Sequence, residues 1–367
     1  MLQKKYSLFT TEESQFDQMC QSLLSQIVTE TAVIKIVFFG LTKNNKEYLV
    51  QIQTLTHRVG EYFPLNPPLV SYVAQAPYKS KLVAEVVSIP LSVQNFSIRY
   101  GTNYIVLDNG LCRELISGGI LPPDLSSSYE IQSDATFAQI KGILSHENFP
   151  LNSIVRQWNY IEKISMFKDG EQNYQEFNDS RSKFYAETTW EGGYPAATGI
   201  GTDAGGVMIE FIAFAGINIV NKPLDNPLQI AAHNYSQSVL HGGSDLYYNP
   251  HSTPKFERAR IVGFNNLRTI YISGTAAIRG EASVFEDSIT DQAWITMENI
   301  ENLLSAANCP VEEIQMCRIY VKNIAQMEEV SAYLTENFPG IKPLLVNADI
   351  CRDELLLEIE GVAMMIY

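Results

Sequence analysis

Two glutamates near the C-terminus have the spacing of groups that could handle a proton. Glu358 and Glu360 fall in the run Leu-Leu-Leu-Glu-Ile-Glu-Gly at residues 355–361, which alternation predicts to be a β-strand. Residues 352–354 before it are predicted to form a charged turn. Both glutamate side chains should point to the same face of the strand. Such a face either meets solvent at a sheet edge or lines a cleft. In a cleft, partial desolvation would raise the pKa of Glu358 and allow it to donate a proton near neutral pH.

The composition is that of a globular chain of two domains. At 367 residues the chain is longer than one ordinary core accommodates, and 46% hydrophobic with 18% charged residues is typical of a folded protein. A net charge of −15 argues against nucleic acid as a partner, because binding phosphates requires a basic surface. The sequence has no apolar run of the roughly 20 residues that cross a bilayer. The N-terminus lacks the apolar segment of a signal peptide.

The reactive residue types exclude some kinds of site. Five cysteines without CxxC spacing predict free thiols in a cytoplasmic protein. The five histidines are scattered, and none is paired with a cysteine or carboxylate at metal-ligand spacing. We therefore predict no metal and no other cofactor. A small anionic substrate would have to be held by individual arginines against an unfavourable overall charge.

The C-terminal third has the clearest order of elements. It reads as strand, helix, strand, helix, strand, strand, at residues 269–273, 290–307, 314–321, 327–337, 344–349 and 355–365. Ser288 and Asp291 are candidate caps for the first of these helices. This order lets two helices cover one face of a mixed sheet.

The rest of the chain suggests a second, degenerate copy of the same unit. Residues 81–89 echo the pattern around Glu358, so the predicted fold class is α+β with two related units. Residues 151–167 and 174–187 are both predicted to be helices. We place the N-terminal domain at residues 1–150 and the C-terminal catalytic domain at residues 151–367.

A glycine-rich segment at residues 190–202 precedes a predicted strand at residues 206–214. Its four glycines permit backbone angles that other residues avoid, and they would let a ligand approach the main chain closely. The same composition would also serve a tight hairpin. It does not match a phosphate-binding loop, because it lacks GxxxxGK[ST] and leads into a strand.

These segments together resemble known families. Residues 256–367 resemble the YjgF/RidA fold in the order of strands and helices. Residues 150–367 resemble the chorismatase family, which cleaves chorismate and releases pyruvate. The segments that carry this resemblance keep a shared order; they are Val-Arg-Gln-Trp-Asn-Tyr-Ile (155–161), Phe-Asn-Asp-Ser-Arg (177–181), Tyr-Pro-Ala-Ala-Thr-Gly-Ile-Gly (194–201), residues 229–235, Phe-Glu-Arg-Ala (256–259), Gly-Thr-Ala (274–276) and Cys-Arg-Asp-Glu-Leu-Leu-Leu-Glu (351–358).

The resemblance implies that Glu358 is a general acid. Chorismate carries an enol ether, and cleavage becomes feasible once the terminal methylene carbon is protonated to give an oxocarbenium ion. A carboxylic acid with a raised pKa can deliver that proton and then, as a carboxylate, stabilise the cation. Glu360, on the same face of the strand, is the rival candidate.

The resemblance also bears on the product. Members that use water as the nucleophile form a dihydroxycyclohexadiene carboxylate, whereas in the others the ring hydroxyl attacks internally and the ring aromatises to 3-hydroxybenzoate. The second group has a cysteine seven residues before the acid and a glycine in the Ser-Gly-Thr-Ala loop, which correspond here to Cys351 and Gly274. We therefore expect 3-hydroxybenzoate. Two departures bear on this product: Gly-Glu-Ala at residues 280–282 offers no histidine, and residues 241–250 resemble an insertion near the substrate entrance.

Chorismate has two carboxylates, and the planar guanidinium group of arginine can donate hydrogen bonds to both oxygens of a carboxylate. The resemblance assigns its binding to Arg156, Arg181, Arg258 and Tyr235, with Thr198 and Gly199 near the ring. The alternatives are that Arg156 and Arg181 only solvate helix faces and that Arg258 pairs with a neighbouring glutamate, Glu257 or Glu286.

Other functions stay open. An imine deaminase of the RidA type would need an arginine about fifteen residues before Glu358, where this chain has Lys342 and Pro343. A ligand-binding protein could keep the fold without the chemistry. The protein is expected to be a monomer or a trimer, since two fused units could complete a site within one chain.

Overall fold

The fold was obtained as a computed structural model that describes residues 2–27, 31–90, 96–168, 171–236 and 252–366. Within these ranges the strands form three large sheets, and two helices pack on each. Each sheet with its helices is called a unit here. The described residues include no helix that is long and apolar enough to span a membrane.

The first unit has a four-stranded sheet with the strand order β1-β4-β2-β3. Its elements are β1 (Lys5–Thr10), α1 (Phe16–Ser25), β2 (Thr31–Gly40), α2 (Asn45–Tyr62), β3 (Leu69–Ala74) and β4 (Leu82–Pro90).

The second unit has a six-stranded sheet with the order β11-β8-β12-β7-β6-β5, together with a small β9–β10 hairpin. Its elements are β5 (Ser97–Gly101), β6 (Tyr104–Asp108), β7 (Cys112–Ser117), α3 (Tyr129–His146), β8 (Ile154–Glu162), β9 (Phe167–Lys168), β10 (Glu171–Gln172), α4 (Asn173–Tyr185), β11 (Ala196–Thr202) and β12 (Val207–Gly216).

The third unit has a six-stranded sheet with the order β13-β14-β15-β20-β18-β19, and a small β16–β17 hairpin. Its elements are β13 (Val220–Leu224), β14 (Ala259–Phe264), β15 (Leu267–Thr275), β16 (Ile278–Arg279), β17 (Ala282–Ser283), α5 (Ile289–Ser305), β18 (Ile314–Val321), α6 (Met327–Asn337), β19 (Leu344–Asn347) and β20 (Leu357–Ile366).

The predicted α+β class is confirmed, and the number of units is three where the sequence indicated two. The predicted boundary at residue 150 falls inside the second sheet, which pairs β7 with β12. The extra unit was missed because residues 151–167, predicted to be helical, form strand β8 instead. That segment is rich in β-branched and aromatic residues, and every residue of β8 is buried. Burial on both faces removes the alternation that distinguishes a strand from a helix.

Other predicted elements are confirmed. Helix α4 covers most of the predicted segment 174–187, and β12 matches the predicted strand that begins at residue 206. Helix α5 begins after Ser288, whose hydroxyl accepts a hydrogen bond from Asp291 N at 3.3 Å, as the capping prediction requires.

A buried glutamate occupies the fourth position of one inner strand in each unit. These residues are Glu85 on β4, Glu210 on β12 and Glu360 on β20. Each pairs with a cation from a neighbouring unit: Glu85 with Arg318 at 2.6 Å, Glu210 with Lys35 at 3.0 Å, and Glu360 with Arg156. The three units are therefore joined by a ring of buried ion pairs, surrounded by a hydrophobic core that all three sheets share.

Candidate active site

A cleft lies between the second and third units. The second unit contributes α4, β11 and the β9–β10 hairpin, and the third contributes the ends of β15 and β20 with the turn before β20. The lining residues include Tyr174, Gln175, Arg181, Gly199, Tyr235, Phe256, Arg258, Gly274, Cys351, Arg352 and Glu358. The empty space is about 850 Å³, counted with the solvent at its mouth. Seven of the nine residues predicted to form the site are brought together here.

Glu358 is the carboxyl at the floor of the cleft. Its residue is 6% exposed, and within the described ranges no group donates a hydrogen bond to the carboxyl. Burial raises the pKa of Glu358 to about 8, and the nearby negative charge of Glu360 adds to the rise against the opposing effect of Arg156 and Arg258. A group with this pKa is mostly protonated at neutral pH, so Glu358 can act as an acid.

Glu360 has the opposite environment, although it lies on the same face of β20. Its carboxylate accepts hydrogen bonds from Arg156, Thr198, Tyr320 OH at 2.8 Å, Trp158 Nε1 at 3.0 Å and Arg318 Nη1 at 3.1 Å. Burial alone would raise the pKa of Glu360, but the guanidiniums and the hydrogen bonds outweigh it, so the pKa lies below its ordinary value. This environment favours the ionised form of Glu360, whereas that of Glu358 favours the protonated form.

Gly274 lies against the acid because strand β15 has a bulge there. The pairing of β15 with β20 shifts register between Ile272 and Thr275, so two residues of β15 oppose one residue of β20. A Cβ atom at Gly274 would overlap the Glu358 Oε1 atom. Only glycine therefore fits at this position with the carboxyl as it stands.

Three arginines surround the cleft. Arg181 bonds the Asn178 side chain, Arg258 bonds the Ile230 carbonyl and the Tyr235 hydroxyl, and Arg352 bonds the Glu281 carbonyl at 2.9 Å.

Each of the three guanidiniums retains capacity for a ligand. Arg181, Arg258 and Arg352 form no ion pair within the described ranges, and the Nε atoms of Arg181 and Arg258 are buried without a hydrogen-bond partner. Arg258 thus pairs with neither Glu257 nor Glu286. Arg181 and Arg258 are buried and Arg352 is half-buried, and guanidinium groups that lack ion-pair partners are suited to binding a dianion.

Cys351 lines the cleft beside the acid. Burial and the nearby Glu358 carboxyl raise the pKa of its thiol to about 12, so the thiol stays protonated and is not a nucleophile. Tyr174 from α4 faces the same space, and burial raises the pKa of its phenol as well. Gly199 allows this ring to approach, because a Cβ there would lie 3.0 Å from the Tyr174 Cε2 atom. The Cys351 thiol and the Tyr174 phenol are therefore both neutral at ordinary pH.

Two predicted site residues do not line the cleft. Arg156 and Thr198 lie in the buried layer beneath it, where both bond Glu360. Arg156 is fully buried on strand β8 and stacks on Trp158 with 4.4 Å to the ring centroid, so it does not solvate a helix face. The predicted insertion at residues 241–250 lies outside the described residues.

The glycine-rich segment divides into two parts. Arg260 on β14 bonds the carbonyls of Gly192 and Gly193 at 2.8 and 2.9 Å, and this part fixes the loop to the third unit. The second part is strand β11, of which Ala197 and Gly199 reach the cleft.

Sequence reasoning missed some lining residues, above all Arg352 and Tyr174. Arg352 stands directly after Cys351, inside a segment that carried the family resemblance, and that position was the available signal. It was interpreted as part of a charged turn, whereas its guanidinium stacks on Tyr235 with 5.0 Å to the ring centroid. Nothing in the sequence placed Tyr174 beside Glu358, since the two are 184 positions apart.

Comparison with known proteins agrees with this geometry. Residues 115–213 match the family model described as chorismatase FkbO/Hyg5-like, N-terminal, and residues 256–365 match the model described as endoribonuclease L-PSP. The predicted resemblance to the chorismatase family is confirmed.

Two curated relatives of this chain come from Streptomyces hygroscopicus. A protein named 3-hydroxybenzoate synthase is 28% identical over 67% of this chain and 72% of its own length. A protein named chorismatase is 26% identical over 70% of this chain and 75% of its own length. A solved chorismatase structure superposes with a TM-score of 0.72 at 19% identity, covering 99% of this chain and 98% of that one. This last likeness shows that the fold is shared along the whole chain.

Proposed function

We propose that the protein is a chorismatase that converts chorismate to pyruvate and 3-hydroxybenzoate. The observation that carries the proposal is Glu358, a carboxyl with a pKa of about 8 in a cleft that also contains three arginines without acidic partners. The relatives named chorismatase and 3-hydroxybenzoate synthase support the same reaction.

In the proposed reaction Glu358 protonates the terminal methylene carbon of the enol ether. The electrons of the C=C bond form the new C–H bond, and the resulting oxocarbenium ion lies beside the Glu358 carboxylate, which stabilises it. The ring hydroxyl then attacks the neighbouring ring carbon that bears the ether oxygen and gives up its proton to the Glu358 carboxylate, while the ether C–O bond breaks and releases pyruvate. The resulting epoxide opens at the carbon that first carried the hydroxyl. The carbon that keeps the oxygen loses its proton, which restores aromaticity, so the two products together contain all the atoms of the substrate.

Substrate binding is assigned to Arg181, Arg258 and Arg352, whose forks face the cleft from both units. Chorismate has two carboxylates, and each needs at least one guanidinium to replace its water shell. Tyr235 keeps Arg258 and Arg352 in place, because it bonds the first and lies under the second.

Gly274 and Cys351 support the internal route to 3-hydroxybenzoate. The absence of a side chain at Gly274 leaves the Glu358 carboxyl in place, and Cys351 adds a neutral, weakly polar group where a stronger hydrogen-bonding side chain could hold a nucleophilic water. The alternative product is the dihydroxycyclohexadiene carboxylate.

An imine deaminase of the RidA type would need a positively charged side chain in the cleft, about fifteen residues before Glu358. The residue near that position, Lys342, does not line the cleft. Lys342 lines a separate groove between β1 and β18, and is not among the residues around Glu358.

Two features stay predictions. The protein is expected to act as a monomer, since the cleft is completed by two units of one chain. A reducing, cytoplasmic compartment is expected, because all five cysteines are free thiols.

The test is incubation with chorismate in D₂O, with both products measured. We expect 3-hydroxybenzoate and pyruvate in equal amounts, with one deuterium in each pyruvate methyl group. Glu358→Gln should lower turnover by about 10³-fold while the melting temperature stays close to that of the wild type. A dihydroxylated diene as the main product would contradict the product assignment, and normal pyruvate release by the glutamine variant would contradict the role of Glu358.

A further inference from the structure

The bulge that brings Gly274 to Glu358 is held by a strand of the other unit. Strand β11 bonds it twice: Ala197 N donates to Ser273 Oγ at 2.9 Å, and Gly274 N donates to Thr198 Oγ1 at 2.9 Å. Ser273 in turn donates to the Glu257 carbonyl at 2.6 Å. The position of the bulge therefore depends on β11 as well as on its own sheet.

The Thr198 hydroxyl has one possible orientation in this network. It accepts hydrogen bonds from Gly274 N at 2.9 Å and from Arg156 Nη2 at 2.7 Å, both of which are donors only. Its single proton must then be donated to Glu360, which is ionised and accepts only. Thr198 is 1% exposed, so no solvent competes for these bonds.

This arrangement connects the anion on β20 to the bulge on β15 through one hydroxyl. Glu360 is fixed by five donors and cannot rotate without breaking several of them. The Gly274 backbone is thus tied to a rigid group, and Gly274 lies so close to the Glu358 carboxyl that a Cβ on it would overlap Oε1.

We propose that Thr198 is a positioning residue: its hydroxyl fixes the Gly274 bulge against the Glu358 carboxyl and so sets where the substrate methylene meets the acid. This role rests on the proposed function, and it replaces the role near the ring that the family resemblance implied for Thr198. Thr198 touches no substrate in this arrangement, because it lies beneath the cleft floor.

Loss of the hydroxyl should loosen the bulge. Thr198→Val keeps the size and the β-branched shape of the side chain but leaves Gly274 N without its acceptor and removes one donor to Glu360. A looser bulge admits water to Glu358, which favours the ionised carboxyl and favours capture of the cation by water.

The experiment compares Thr198→Val with Thr198→Ser, which retains the hydroxyl, and with Thr202→Val. Thr202 is buried on the same strand, and its side chain makes no hydrogen bond within the described ranges. Thr202→Val therefore controls for the replacement of a buried threonine by valine on this strand. For each variant we would measure kcat, KM and the ratio of diene to 3-hydroxybenzoate. The protonation of Glu358 would be followed by infrared titration of its C=O stretch, with Glu358→Gln identifying the band.

We expect Thr198→Val to lower kcat about tenfold or more, to change KM by less than about threefold, to raise the diene fraction and to move the Glu358 titration to lower pH. Thr198→Ser and Thr202→Val should stay within about threefold of the wild type. Wild-type values for Thr198→Val, or equal losses in Thr198→Ser or Thr202→Val, would overturn the proposal.

Two further points keep the outcome decisive. If Thr198→Val does not fold, Thr198→Ala removes the same hydroxyl and is held to the same criteria. If the wild type does not cleave chorismate, the proposed function fails, while the infrared titration still tests the role of Thr198 without substrate.

Discussion

Glu358 and Glu360 share one face of strand β20, yet their pKa values are shifted in opposite directions. Glu358 loses water and gains no hydrogen bond within the described ranges, whereas Glu360 receives five. The difference comes mostly from other strands, since Arg156, Trp158 and Thr198 belong to the second unit and form hydrogen bonds with Glu360 and none with Glu358. The second unit thus fixes one carboxyl as an anion, and this anion helps to keep its neighbour protonated.

Turnover should therefore fall as pH rises through about 8. The active form of Glu358 is the protonated one, and its pKa is raised from an ordinary value of 4.5 to about 8, so the acid is present below pH 8 and is lost above it. The profile of kcat against pH should decline about tenfold for each pH unit above 8. A rate that stays constant to pH 9.5, or that rises with pH, would contradict the assignment.

Gly274→Ala should impair the acid directly. The added methyl overlaps Glu358 Oε1, so the carboxyl must rotate away from the position that reaches the methylene carbon. We expect kcat to fall about tenfold or more and the diene fraction of the product to rise, both measured by chromatography of the reaction mixture. Gly142→Ala is the control, because a Cβ there meets no atom within 4 Å; this helix glycine should tolerate the change. If Gly274→Ala gave the same ratio of products as the wild type, Gly274 would have no role in determining the product.

Arg352→Gln should weaken substrate binding more than it slows chemistry. Loss of one charged hydrogen bond to a carboxylate corresponds to a rise in KM of roughly 10- to 100-fold, with kcat within about threefold. Steady-state kinetics with chorismate measure both constants. Arg99→Gln offers a matched control, since Arg99 pairs with Glu147 at 2.8 Å on the second unit and does not line the cleft. Equal effects of the two substitutions would argue against a role for Arg352 in the site.

The ring of buried ion pairs should matter for stability and not for chemistry. Lys35→Met leaves Glu210 buried without its cation, which costs about 3–5 kcal/mol in comparable cases. Urea denaturation should show this loss, while kcat of the folded variant stays close to the wild-type value. Adding Glu210→Gln should recover much of the stability, because it removes the unpaired charge. A double variant as unstable as Lys35→Met alone would be inconsistent with the ion pair as the cause.

The acid and much of its surroundings could be predicted from sequence because they lie within one unit. Glu358, Cys351 and Gly274 belong to the third unit, where helix periodicity and strand alternation are clear. The strand pattern alone left open whether Glu358 meets solvent at a sheet edge or lines a cleft, and the family resemblance favoured the cleft.

The remainder of the site depends on contacts that no local pattern records. Strand β8 was predicted to be a helix because it is buried on both faces. The family resemblance assigned Arg156 on this strand to the substrate, whereas its guanidinium bonds Glu360. Arg352 was interpreted as part of a turn because its stacking partner Tyr235 lies far away in the sequence.

The three inner strands that carry the buried glutamates differ in the character of the residue two positions before the glutamate. There β20 has Glu358, while β12 has Met208 and β4 has Val83. If the three units were identical copies, a second glutamate equivalent to Glu358 would be buried at each of the three junctions between units, and its desolvation would cost free energy each time. A single continuous polypeptide escapes this symmetry: it places the costly proton donor at one junction and has apolar side chains, Met208 and Val83, at the corresponding positions of the other two.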